Sequence, residues 1–207
     1  MKEKLDKVQN YFVLNKKMIR ILLIFCVIGI ITGSFYMVIL KSSDKALVKD
    51  YISKYLLHLN KINYQENLTQ IILNHFFFLF FIWLLGISII GLPVILFLFF
   101  CKSFIIGFSV SSFIISKGFK GVLLSLVYIL PCQILNICIY LLLMNYALSL
   151  SIKLIHSFLK KKEMNFKPIL KKYSVVFLFS MIMMIISSLY EVFLMPKALE
   201  FVLSIIK

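Results

Sequence analysis

Five stretches of the chain are apolar over long runs, and charged or turn-forming segments separate them. Ile21–Leu40 carries no charge between Arg20 and Lys41. The block Ile71–Cys101 is equally apolar but is interrupted by Gly91-Leu92-Pro93. Ser103–Ser116 is uncharged and short, Gly121–Ile152 is uncharged and contains Pro131, and Tyr173–Met195 closes at Pro196 with Glu191 near its end. A helix needs roughly 20 apolar residues to cross a hydrocarbon core of about 30 Å. The pattern therefore predicts membrane spans at 21–40, 71–101, 103–116, 121–152 and 173–195. Between the first two, residues 41–70 form the longest non-spanning segment.

Composition sharpens that picture. Of 207 residues 62% are apolar and 15% charged, and the mean hydropathy is +1.01. A soluble domain has about 45–50% apolar and about 25% charged residues, so this chain has too little polar surface to coat a globule in water. A soluble enzyme, a disordered tail and a secreted disulfide scaffold are excluded. The formal charge of +15, which in a soluble protein points to nucleic acid, becomes a question of sidedness.

Two segments are strongly basic: residues 1–20, and 153–172 with Lys153, Lys160, Lys161, Lys162, Lys167, Lys171 and Lys172. The positive-inside rule puts both in the cytoplasm. An even number of crossings must then separate them, so residues 71–116 must cross twice. The expected fold is all-α: about five transmembrane helices, N-terminus in, C-terminus out, with 196–207 an outer tail. Inner segments then sum to +11 and outer ones to +4 of the total +15. The turn between spans two and three falls at Lys102-Ser103 or at Gly91-Leu92-Pro93. Lys102 at the inner face is preferred, because a buried lysine is costly without a partner. No cleaved signal peptide is expected.

Candidate chemistry is sparse. His58, His75 and His156 are isolated, and Cys26, Cys101, Cys132 and Cys138 sit in apolar runs, where cysteine packs as a small hydrophobe. Neither a phosphate-binding loop nor a nucleophile motif is present. No catalytic residue, metal or cofactor is expected, and the reading is of a non-enzyme.

Three constellations remain. In the outer loop, Val48, Tyr51, Ile52, Tyr55, Leu56, Leu59 and Ile62 follow helical spacing and predict an amphipathic helix. It either lies in the outer headgroup layer or presents a docking face to a partner. Small residues recur at Gly29 and Gly33, and at Ser103, Gly107 and Ser111, a spacing that lets helices approach closely. They serve packing within the chain or assembly with another protein's span. Finally, Gln133, Asn136 and Tyr140 form one stripe just after the expected kink at Pro131, and Glu191 stands one turn before Pro196. Polar groups at that depth either hydrogen-bond neighbouring helices or line a path. Gly91 and Pro93 are read as a break in a span, with Pro93 as a kink.

The string Trp83-Leu-Leu-Gly-Ile-Ser-Ile-Ile-Gly-Leu-Pro-Val-Ile-Leu, followed by Lys102 and Ile106-Gly107-Phe108, resembles stage II sporulation protein M. Leu130-Pro131 and the late Glu191…Pro196 fit the same family. The resemblance implies a polytopic mother-cell membrane protein that assembles two membrane-anchored peptidoglycan-degrading enzymes, sporulation proteins D and P. It implies recruitment of these enzymes to the septum for wall thinning and forespore engulfment, with this chain as scaffold. The alternative from the residues alone is a transporter or permease-like subunit, motivated by the Gly91–Pro93 break, the span-four stripe and Glu191. Broken helices often line transporter sites.

Overall fold

A computed structural model describes residues 15–58, 64–160 and 166–206, which are almost wholly helical. Helix α1 (Lys16–Ile39) is followed by α2 (Ser42–His58), α3 (Tyr64–Gly86) and α4 (Gly91–Lys117). A short α5 (Phe119–Leu124) then runs through one π-helical turn (Ser125–Ile129) into α6 (Leu130–Lys160). Last come α7 (Phe166–Phe193) and α8 (Met195–Ile206). Among the described residues five apolar helical stretches are long enough to cross a membrane: Lys16–Ile39, Leu68–Gly86, Gly91–Lys117, Phe119–Leu159 and Phe166–Leu199. The five-span fold is thus present, in an all-α architecture.

The long helices divide into a tight pair and a trio. Helix α1 packs most extensively on α4, while α3, α6 and α7 pack on one another, and the α4–α6 contact joins the two groups. The core at their junction includes Leu22, Leu79, Ile95, Phe99, Leu143 and Val176, all fully buried. Large apolar side chains also point outward in quantity: Phe35 is 62% exposed, Phe77 63% and Ile182 60%. A surface so apolar is stable only against hydrocarbon, which is what five stretches of spanning length require.

Caps and turns explain where the helices stop. Asn15 caps α1 by accepting from the Lys17 N–H at 3.1 Å. Its own backbone is bound at 3.0 Å in both directions by the Asn145 amide of α6. Gly118 ends α4 at φ 59°, ψ −134°, a positive-φ conformation that costs glycine little, and no atom within 4 Å would meet a side chain there. The π turn precedes Pro131: the Leu130 N–H reaches back to the Ser125 carbonyl, so the helix widens where proline supplies no N–H. Pro131 is accommodated by an inserted residue.

Several expected boundaries move. The break between the second and third spans falls at residues 87–90, so Lys102 lies mid-way along one uninterrupted helix and marks no turn. The reason is local. Ile90 precedes the first helical residue, Gly91, and places Pro93 inside the first turn, where a missing N–H costs nothing. Pro93 starts a helix and kinks none. The basic segment 153–172 is helical over 153–160 and 166–172, with 161–165 outside the described residues. The expected tail at 196–207 is helix α8, with Pro196 in its first turn and Leu199 fully buried.

Candidate functional site

The sequence stripe Gln133, Asn136 and Tyr140 leads to the polar centre of the bundle. Asn136 and Tyr140 are buried, and Gln133 is half-buried. The Tyr140 hydroxyl lies 2.6 Å from His75 Nδ1 on α3. On the other side of that ring, His75 Nε2 stands 3.8 Å from Glu191 Oε2 on α7. One tautomer serves both contacts: Nδ1 accepts the Tyr140 proton, and Nε2–H faces the carboxylate. The Ser187 hydroxyl, also on α7, donates to Asn136 Oδ1 at 2.7 Å. Glu191 Oε2 is buried without a hydrogen-bond partner among the described residues, while its side chain as a whole keeps 25% of its surface.

Lys102 of α4 completes the cluster. Its ammonium lies 4.5 Å from the centre of the Phe78 ring and 5.7 Å from that of Tyr140. Those two rings meet edge-on at 4.8 Å. Glu191 acts on Lys102 electrostatically across the cluster. An ammonium held over two aromatic faces with a carboxylate in Coulombic range has partners that an isolated buried lysine lacks. His75, Lys102 and Tyr140 stand about three turns, ~16 Å, from Gly86, Gly91 and Ser151 respectively, near the middle of a bilayer core of about 30 Å. Four of the five spans thus meet at one polar node. His75 escaped sequence reasoning because its partners are distant in the chain; a lone histidine in an apolar run was the available signal.

The small residues face each other inside the chain. A Cβ added at Gly29 would come within 2.7 Å of Ser103 Cβ and 2.8 Å of the Phe100 carbonyl oxygen. One at Gly33 would overlap the Phe104 carbonyl, and one at Gly107 the Ile30 carbonyl. Ser34 donates to the Gly107 carbonyl at 3.2 Å, and Ser103 folds back on Phe99 at 2.9 Å. The stripes of α1 and α4 are one seam. Ser111 is half-buried further along α4.

The turn at 87–90 is fastened from two helices. Ser151 of α6 donates to the Gly86 and Ser88 carbonyls at 3.2 and 3.1 Å. Tyr173 of α7 donates to the Ile82 and Trp83 carbonyls, each at 3.2 Å, and stacks on Trp83. Gly86 leaves room for that tyrosine, and Gly91 lies against the Leu85 carbonyl, where a Cβ would not fit. Gly91 therefore closes the turn between two spans, and the motif around it builds their junction.

The loop helix is divided in its contacts. Val48, Ile52 and Leu56 turn inward on a second core formed by Phe113, Leu124, Ile129 and Leu199. Tyr51 is 72% exposed and Leu47 69%, on the opposite side of α2. Tyr55 lies on the same helix, and Leu59 and Ile62 fall outside the described residues. Part of the expected docking stripe is thus occupied by the chain itself. Among the described residues no group of three His, Cys, Asp or Glu could hold a metal.

The family model described as stage II sporulation protein M matches residues 21–196. No curated protein and no solved structure matches the chain.

Proposed function

The chain belongs to the stage II sporulation protein M family, and on that footing we propose that it is a non-catalytic membrane scaffold for peptidoglycan-degrading enzymes at the sporulation septum. The partners are sporulation proteins D and P, held in the mother-cell membrane to thin the septal wall and drive engulfment. The N-terminus and the 87–90 turn face the cytoplasm, and α2 and α8 face outward, as the basic segments at 1–20 and 153–172 require. The observation that carries the reading is the family match over most of the chain. The fold supports it: α1 and α4 close their small-residue seam on each other, and exposed Leu47 and Tyr51 remain for an outer partner. The test is engulfment itself. Sporulating cells lacking the chain stall before the forespore is enclosed, and normal engulfment in them would overturn the proposal.

A second reading, a transporter-like subunit, is favoured by the node of His75, Lys102, Tyr140 and Glu191 at mid-bundle. It loses the broken-helix argument, since Gly91–Pro93 begins a span. Proteoliposomes measure it directly: a proton or cation flux abolished by Glu191→Gln supports transport, and none argues it down.

A further inference from the structure

At the end of the bundle that carries the 87–90 turn, a cavity of about 230 Å³ opens between the start of α1 and helices α6 and α7. Asn145, Ser149 and Lys153 line it at one-turn intervals along α6, with Lys172 and Tyr173 from α7 and Asn15 from the cap of α1. We propose that this cavity binds a phosphate group, that of an anionic phospholipid headgroup, between Lys153 and Lys172.

Four observations converge on an anion. Lys153 and Lys172 belong to different helices and both line the space, so two like charges share one cavity, an arrangement that an anion between them relieves. No carboxylate is among the described residues lining it. Ser149 Oγ is buried there without a hydrogen-bond partner among the described residues, an unspent donor within the cavity wall. The N-terminus of α1, a helix of 24 residues, opens on the same space and adds its positive dipole end. The lining is mixed, with Leu150, Ile169 and the Tyr146 ring beside the polar groups. That mixture suits a phosphate joined to a glycerol backbone. Asn145 is already committed to the backbone of Asn15, so it shapes the wall, and the Lys172 ammonium is held at the same cavity 5.7 Å from the centre of the Tyr146 ring. The site is independent of the scaffold reading.

The experiment uses the full chain in phosphatidylcholine nanodiscs doped with phosphatidylglycerol, followed by detergent release and native mass spectrometry. Wild type retains phosphatidylglycerol. Lys153→Gln with Lys172→Gln lowers retention about tenfold or more, as loss of charge-assisted hydrogen bonds requires. The exposed pair Lys167→Gln with Lys171→Gln, which removes the same charge outside the cavity, stays within about twofold. Lys153→Arg with Lys172→Arg keeps the charge and retains the lipid, which separates ligand loss from misfolding. Inorganic phosphate distinguishes the source: retention that survives it assigns the lipid, and phosphate binding with loss of lipid assigns a soluble phosphate and overturns the lipid. Equal losses from the cavity pair and the exposed pair, or no retention by wild type, overturn the site.

Discussion

Substituting Gly29 or Gly33 probes the seam between α1 and α4 most sharply. At Gly29 the added methyl meets Ser103 Cβ at 2.7 Å, whereas carbon atoms rest at about 3.5–4.0 Å. The helices must therefore separate by about 1 Å at that point, and a gap of 0.5–1 Å forfeits about a quarter to a half of each dispersion contact along the seam. Overpacking of this kind costs about 1–3 kcal/mol, so Gly29→Ala is expected to destabilise by about 2 kcal/mol. Gly33→Leu, whose side chain would drive into the Phe104 backbone, is expected to cost ~3 kcal/mol or more. The pairing makes a further demand. Gly33 and Gly107 press on opposite partners of one interface, so once either substitution has parted the helices the other costs less. Gly33→Ala with Gly107→Ala should cost at least ~1 kcal/mol less than the sum of the single changes. Reversible unfolding of the purified chain in mixed detergent micelles measures each of these variants, the single changes at Gly33 and Gly107 included. Strict additivity, or single-variant losses below ~0.5 kcal/mol, would refute an intramolecular seam and return these glycines to a lipid or partner face.

Other positions give separate tests. Gly121→Ala should destabilise by about 1–3 kcal/mol because its Cβ overlaps the Phe113 carbonyl, and Gly118→Ala by about 1–3 kcal/mol from backbone strain alone at φ 59°, ψ −134°, where nothing crowds the side chain; thermal unfolding measures both. Tyr140→Phe removes the bond to His75 and should cost about 0.6–1.7 kcal/mol in the same micelle assay, with no change in which proteins co-purify. Ile52→Asp should unfold the α2 docking onto the second core, read as new protease cutting near α2. Leu47→Asp with Tyr51→Asp, both on the exposed side, should leave cutting unchanged and lower recovery of outer partners about tenfold.

The span count was legible because the bilayer demands length, and no tertiary contact is needed to see an uncharged run such as Gly121–Ile152. Parity from the basic segments also survived the displaced turn, since two crossings remain between α1 and α6 wherever 71–116 reverses. Lys102 misled for a physical reason: the rule against buried lysine assumes no partner, and Phe78, Tyr140 and Glu191 come from three other helices. A better local signal lay in Gly91-Leu92-Pro93, whose proline fits a helix without disruption in its first turn. The same logic at Met195-Pro196 announced α8 where a tail was expected. Helical period marked the α2 stripe, but the residues that cover it, Phe113 and Leu199 among them, are set by the fold. For the same reason the small-residue stripes could be seen singly, while their pairing into one seam required α1 and α4 to be placed side by side.

The central claim, a membrane scaffold for wall-degrading enzymes, meets its most direct test in affinity purification of the full chain from solubilised sporulating-cell membranes, with mass spectrometry of what accompanies it. The account predicts peptidoglycan-degrading enzymes with membrane anchors, recovered from wild type and lost with the Leu47→Asp, Tyr51→Asp chain. Repeated recovery of the intact chain without any such enzyme would contradict it.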